Sequence, residues 1–237
     1  LSGHSVTAAG DVNGDGYADL IIGAPNGDPT SAANAGFSYV LFGGSIGYTA
    51  TVVDYLGTTG NDTLTGYGSS TNEQFVGGAG NDTLIGNGGK DTMYGGAGND
   101  TFVLNANNVG HLADNTNKAS AIMRVDGGNG TDTLQLAGSN IVLDFTAIAD
   151  NRVTGIEVID LGAGSNNQLV LNYTDLLALS DSNRLHVTGI ASDTVTITGG
   201  TLVTAGVDVG GVLYDTYNLG GTASADIWVQ QGITVVL

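Results

Sequence analysis

Aspartates recur in this chain at a fixed nine-residue spacing, each set among glycines. Residues 77–103 read GGAGNDTLI, GNGGKDTMY and GGAGNDTFV without a break. Each copy follows G-G-x-G-x-D-x-U-x, with U large and apolar, and Asn87 stands at the second glycine of the middle copy. A further copy, 57–65 (GTTGNDTLT), has Thr58 at the second glycine, and another, 127–135 (GGNGTDTLQ), stands alone downstream. Residues 66–76 (GYGSSTNEQFV) are a stretched copy, two residues too long, with Glu73 where Asp belongs.

Glycine takes positive φ at little steric cost, so six residues can curl into a tight turn with carbonyls pointing inward. The Asp adds a carboxylate, and the resulting all-oxygen shell suits a hard cation such as Ca²⁺. One turn supplies half a shell, so a stacked neighbour must supply the rest; periodic sequence, stacked turns and metal binding imply one another. The candidate carboxylates are Asp62, Asp82, Asp91, Asp100 and Asp132, the last only if another turn lies beside it. The candidate carbonyls are those of Gly57, Thr59, Gly77, Ala79, Gly86, Gly88, Gly95 and Ala97. The three residues after each Asp, such as Thr83-Leu84-Ile85, predict a short strand whose central side chain points inward. A flexible glycine-rich linker would not hold Leu84, Met93 and Phe102 at one phase of the repeat.

On these motifs the chain resembles the RTX (repeats-in-toxin) family of calcium-binding β-roll proteins, which are exported by type I secretion systems. The resemblance covers 57–103 and reaches the outlying repeat at 127–135. It implies turns that alternate between two sides of a flattened roll, with Asp62, Asp82 and Asp100 on one side and Asp91 on the other. Glu73 and its insertion depart from that pattern at the first site of the second side.

The elements around the repeats fit this chemistry. The chain has 237 residues, enough for a real core. Its formal net charge is −18, from 5 Lys+Arg against 23 Asp+Glu. That balance disfavours nucleic acid and anionic membrane surfaces, which need basic residues. Such charge opposes compaction, and divalent cations relieve it, so the chain is expected to fold well only with Ca²⁺. Forty glycines with two prolines and no cysteine point to turn-rich β structure without a disulfide framework. No apolar run reaches the roughly 18 residues of a membrane span. The opening, LSGHSVTAAGD, shows no basic region followed by an apolar one and begins mid-pattern, as expected of a piece of a longer protein.

Residues 11–19, DVNGDGYAD, place oxygen side chains at positions one, three, five and nine with glycine at six. This is the start of calcium-loop logic, but Ile22 stands where an EF-hand has Glu. The segment 3–44 resembles the FG-GAP repeat of integrin-α-type β-propellers. The resemblance implies Asp11, Asn13, Asp15 and Asp19 as side-chain ligands and Tyr17 as a carbonyl ligand. One repeat alone does not make a propeller of typically 4–8 blades, so the expectation is the last blade of a longer array or a single repeat docked on the roll. The G-x-S-x-G at 43–47 is a decoy: a strand-like YTATVVDYL follows it, where a nucleophile elbow needs a helix. His4, His111 and His186 form no short-range metal pair.

Residues 105–120 (NANNVGHLADNTNKAS) break the repeat phase and read as a projecting loop with one helical turn. From Ala121 onward short strands recur, with one helix at 174–179 capped by Thr174. Residues 162–170 (GAGSNNQLV) look like a decayed repeat with Asn167 at the Asp position, so the winding is expected to continue with strand contacts in place of metal. The motifs GGNGTDTLQL, GIEVIDL and DIWVQQGITVVL resemble the C-terminal region of very large bacterial RTX adhesins.

The sequence therefore describes an all-β fold: an FG-GAP repeat over 1–50, an RTX parallel β-roll over 51–104, and a β-rich C-terminal domain over 105–237 that continues from the roll. The expected function is a non-enzymatic calcium-binding module of an extracellular adhesin, secreted or surface-attached, with a glycan, peptide or surface protein as ligand. Two rivals stand beside it: a purely structural and secretion module, and the C-terminal part of a secreted RTX enzyme or cytolysin.

Overall fold

A computed structural model describes residues 5–10, 19–24, 37–41, 50–68, 71–114, 122–220 and 225–237. Asp11, Asn13, Asp15, Tyr17, His4 and the Ser45 motif lie outside the described residues. The N-terminal segment contributes an antiparallel four-stranded meander of β1 (Ser5–Gly10), β2 (Asp19–Ala24), β3 (Phe37–Leu41) and β4 (Ala50–Val52). Asp19 opens β2, opposite Gly10, and is fully buried.

From Tyr55 the chain winds into a solenoid. Strands β5 (Tyr55–Leu56), β7 (Gln74–Ala79) and β9 (Thr92–Ala97) form one parallel sheet, here called B. Alternating with them, β6 (Thr63–Thr65), β8 (Thr83–Ile85) and β10 (Thr101–Leu104) form a second, sheet C. Each short strand presents one central apolar residue inward, giving the alternation half-buried, buried, half-buried in Thr83-Leu84-Ile85. This is the period-two pattern of a strand, repeated once per half-turn.

After β10 the geometry changes. The segment read as a projecting loop contains helix α1 (Ala106–Leu112), which is no projection: Val109 and Leu112 are buried in the common core. Its cap is Asn105, whose side chain accepts from the amides of Asn107 and Asn108. Strands β11 (Arg124–Asn129) and β12 (Thr133–Leu136) rejoin sheets B and C, and β13 (Val142–Asp144) then begins a third sheet, D. The next turn repeats B, C and D with β14 (Val153–Thr154), β15 (Val158–Asp160) and β16 (Gln168–Leu171). Helix α2 (Tyr173–Leu179) then packs beside β14, where sheet B stops. Its cap is Asn172, not Thr174: the chain leaves extended conformation at Asn172, whose Oδ1 accepts the amides of Thr174 and Asp175.

Sheets C and D continue with β17 (Arg184–Thr188) and β18 (Thr194–Ile197). A hairpin of β19 (Thr201–Val209) and β20 (Val212–Asn218) follows, before β21 (Asp226–Gln230) and β22 (Thr234–Val236) complete the two sheets. The hairpin pairs antiparallel to β21 and ends sheet C. The exposed β19 carries no burial period from which a strand could be read, and β14 is only two residues long.

Sheet C thus runs unbroken from β6 to β21. Its register stacks Leu64, Leu84, Phe102, Leu134, Ile159, Val187 and Val229 in one interior column. Sheet B stacks Tyr55, Phe75, Met93, Val125 and Val153 against it, and sheet D adds Leu143, Leu169, Val195 and Val235. These columns belong to a single core cluster with its partly buried rim. Phe102 sits mid-column with no exposed surface. Phe102→Ala is expected to cost about 3–5 kcal/mol in urea unfolding at saturating Ca²⁺; a loss under about 1 kcal/mol would show that the column is not the stabilising core.

Candidate metal-binding turns

Asp62, Asp82, Asp100 and Asp132 each stand immediately before a strand of sheet C, so the sheet's register stacks them in one row. The Asp62 amide donates to Oδ1 of Asp82 at 2.8 Å, that of Asp82 to Asp100 at 2.7 Å, and that of Asp100 to Asp132 at 2.7 Å. The Asp132 amide donates in turn to Oε2 of Glu157 at 3.0 Å. One carboxylate oxygen per turn is therefore spent on holding the neighbouring turn.

The other oxygen is the informative one. Asp82, Asp100 and Asp132 are at most 1% exposed, and Oδ2 of each is buried without a hydrogen-bond partner. Burying a charged oxygen unpartnered costs several kcal/mol, so three in one row mark a place made for something else. Each faces a carbonyl of the next turn. A Cβ built on Gly77 would come within 2.5 Å of both Asp82 Oδ2 and the Gly95 carbonyl. At Gly95 it would meet Asp100 Oδ2 and the Gly127 carbonyl, and at Gly127, Asp132 Oδ2 and the Gly155 carbonyl. Glycine is needed at each of these places because carboxylate and carbonyl approach too closely to admit a side chain. Gly78, at φ 108°, makes the accompanying left-handed bend.

The second side carries Glu73 and Asp91. The Glu73 amide donates to Asp91 Oδ1 at 3.1 Å, the same link as on the first side. Glu73 Oε1 accepts from the Tyr67 amide at 3.0 Å and the Thr71 hydroxyl at 2.7 Å, while its buried Oε2 has no partner and lies near the Gly86 carbonyl. Glu73, one methylene longer than Asp, thus joins the set of orphaned carboxylates. The readable signal was an acid at the Asp position of a stretched copy.

Two other carboxylates are satisfied by protein groups. Asp62 Oδ2 accepts from the Thr58 amide at 2.6 Å and the Thr58 hydroxyl at 2.8 Å. Asp91 Oδ2 accepts from Asn108 Nδ2 at 3.0 Å, and the Gly88 amide is taken by Asn108 Oδ1 at 2.9 Å. Among the predicted carbonyl positions, Gly77, Gly86 and Gly95 border carboxylate oxygens, and Gly57 is the position across which Asp62 and the Gly77 carbonyl meet. The Ala97 carbonyl accepts the Gly80 amide at 2.8 Å; Thr59 is exposed and Ala79 half-buried in their turns.

Burial pushes the carboxyls of Asp91, Asp100 and Asp132 up. Desolvation, with Glu73 nearby, raises Asp91 to about 7; desolvation, with Asp100 and Glu157 close, raises Asp132 to about 6; Asp100 rises for the same reason beside Asp82. A divalent cation in the row would supply the missing opposite charge. Among the described residues no three His, Cys, Asp or Glu side chains cluster as a metal site. The available donor set is instead one carboxylate and backbone carbonyls per turn, all oxygen, as Ca²⁺ prefers. His186 stacks on Trp228 and His111 lies on α1, so neither enters these turns.

Comparison with known families agrees with this geometry. The RTX calcium-binding nonapeptide repeat matches at residues 55–68 and 67–102, in four copies, and the FG-GAP repeat matches at residues 2–41. No curated protein matches the chain. The chain thus carries RTX repeats, whose ion is Ca²⁺, together with an FG-GAP repeat; both are structural repeat families. Gly77→Ala places a methyl between Asp82 Oδ2 and the Gly95 carbonyl. It is expected to remove one Ca²⁺ per chain in calorimetric titration; an unchanged ion count would mean that no cation lies there.

Proposed function

We propose that this chain is a non-enzymatic calcium-binding module of an extracellular adhesin, secreted or attached to a bacterial surface after type I export. Calcium folds and stiffens it on arrival. The observation that carries the reading is the row of buried, unpartnered carboxylate oxygens on Asp82, Asp100 and Asp132, joined on the second side by Glu73. Ca²⁺ would be held by these oxygens with the carbonyls of Gly95, Gly127, Gly155 and Gly86. The similarity of residues 2–41 to the FG-GAP repeat implies a further site in the loop of Asp11, Asn13, Asp15, Tyr17 and Asp19.

Bound metal ties one turn to the next and offsets a net charge of −18. Each site stabilises the fold according to the ratio of Ca²⁺ to its dissociation constant, so millimolar extracellular Ca²⁺ contributes about 3–4 kcal/mol at a site with micromolar affinity. Among the described residues no helix is long and apolar enough to cross a membrane.

For adhesion the surface offers a cleft of about 300 Å³ lined by Glu157, Asp181, Ser182, Arg184 and His186. Carboxylate, hydroxyl, guanidinium and imidazole groups together suit a polar extracellular ligand, a glycan or a peptide. The rival of a purely structural and secretion module predicts no ligand at all.

Circular dichroism with calorimetric titration, from EGTA to millimolar CaCl₂, tests the calcium reading. A coil-like spectrum that turns β-rich with several ions bound is expected; a chain folded alike in both conditions would refute it. A glycan and peptide array probed in Ca²⁺ is expected to give a signal that Arg184→Ala abolishes, whereas an empty array would favour the structural module.

A further inference from the structure

Among the described residues beyond Asp132, no buried side-chain oxygen lacks a hydrogen-bond partner. The corner from sheet C into sheet D recurs at residues 137–141, 163–167 and 189–193. Side chains link these turns as in the roll. The Ile141 amide donates to Oδ1 of Asn167 at 2.8 Å, and the Asn167 amide to Oδ1 of Asp193 at 2.9 Å. This is the bond that joins Asp82 to Asp100 and Asp100 to Asp132.

The difference lies in the second atom of the side chain. In Asp82, Asp100 and Asp132 it is an oxygen with no partner. In Asn167, fully buried, it is Nδ2, which donates to the carbonyls of Leu161 at 2.7 Å and Gly138 at 2.9 Å, with Gly164 at 3.4 Å as a weaker third. Gly138 and Gly164 each stand three residues before the corner residue, the place of Ala79 before Asp82. Carbonyls from two stacked turns thus converge on a single atom. The surroundings fix the amide's orientation: turned over, its oxygen would face three carbonyls and its NH₂ would face the Ile141 N–H.

The neighbouring corners are settled as well. Asp193 Oδ2 accepts the Ile190 amide at 2.9 Å, and Ile141 is apolar. At the edge of the roll, Asn108 at the start of α1 brings its Nδ2 to Asp91 Oδ2 at 3.0 Å.

We propose that the Asn167 side-chain amide is a built-in substitute for a bound cation, and that Asn108 and Asn167 mark where calcium dependence ends. The amide hydrogens gather the inward carbonyls of two turns, the task a metal performs in the roll, without a carboxylate and without net charge. The turns over 138–197 accordingly hold their form in the absence of Ca²⁺, while those over 57–103 require it. This inference rests on the calcium reading of the roll.

Asn167→Asp exchanges the donor for a carboxylate oxygen among three carbonyls, an all-oxygen group of the same kind as in the roll. In calorimetric titration of the full chain the variant is expected to bind one Ca²⁺ more than the parent. In EGTA it should melt at lower temperature than the parent, with the difference removed by Ca²⁺. Equal ion counts in the two proteins would overturn the proposal.

If the variant fails to fold, hydrogen exchange on the parent chain decides. In EGTA, amides over 138–197 are expected to keep their protection while those over 57–103 lose it. Protection lost throughout would overturn this inference alone. Protection kept throughout would overturn both it and the calcium reading of the roll.

Discussion

One hydrogen bond, from the backbone amide of an acidic residue to the carboxylate one turn further on, recurs along the roll and sets what the rest must accommodate. It is possible because neighbouring parallel strands lie about 4.8 Å apart, a gap that an Asp side chain just bridges. The same spacing stacks like charges, and at about 5 Å and an effective dielectric of about 20 each adjacent pair repels by about 3 kcal/mol. Desolvation adds to this, as the raised carboxyls of Asp91, Asp100 and Asp132 show. A row so built cannot simply stop. At one end Thr58 turns its amide and hydroxyl onto Asp62; on the other side Asn108 covers Asp91. Beyond Asp132 the row passes to Glu157, whose second oxygen accepts the Ser180 hydroxyl at 3.3 Å.

The change from a two-sided roll to a three-sided solenoid follows from where the helices stand. Helix α1 packs against β10 and β13, at the point where sheet D begins. Its apolar residues Val109 and Leu112 cover interior that no strand of D yet lines. Helix α2 does the reverse beside β14, the last strand of sheet B, and the Ile156 amide donates to its Leu179 carbonyl at 2.9 Å. Sheet B ends at β14 and sheet D begins only at β13, so sheet C alone runs from the roll to the last turns, and its inward column of Leu, Phe, Ile and Val keeps the core continuous.

The repeats were the legible part of the chain, because a nine-residue phase joins glycine, acid and apolar residue in one pattern that few other folds produce. Strand positions downstream were also legible from apolar alternation. The third face was less so: its turns return after 26 residues, and although Ala-Gly-Ser-Asn recurs at 137–140 and 163–166, Ile141 and Asn167 stand where the nine-residue pattern has its acid. The α1 helix was hidden by five asparagines between 105 and 117, which favour caps and turns over helix interiors. The capping box of Asn105 and Asn108 uses two asparagines where Ser or Thr with Glu is the usual signal. Glu73 was visible but read as a defect, since its unpartnered oxygen shows only in three dimensions.

The interruption between β10 and β12 has a further consequence. Turns related by 18 residues, such as those of Asp82 and Asp100, are nearly interchangeable. Their exposed faces repeat too: the Asn81 and Asn99 amides donate to the side chains of Asn61 and Asn81, each at 2.8 Å. A chain made only of such units could pair one turn out of step at little cost and become trapped there. The step from Asp100 to Asp132 is 32 residues and carries a helix that fits one place only. A strand displaced by one unit would leave Leu112 without its pocket and Asp91 without Asn108. The irregular turn thus acts as a key among identical teeth, making the correct threading the only one in which every turn is filled.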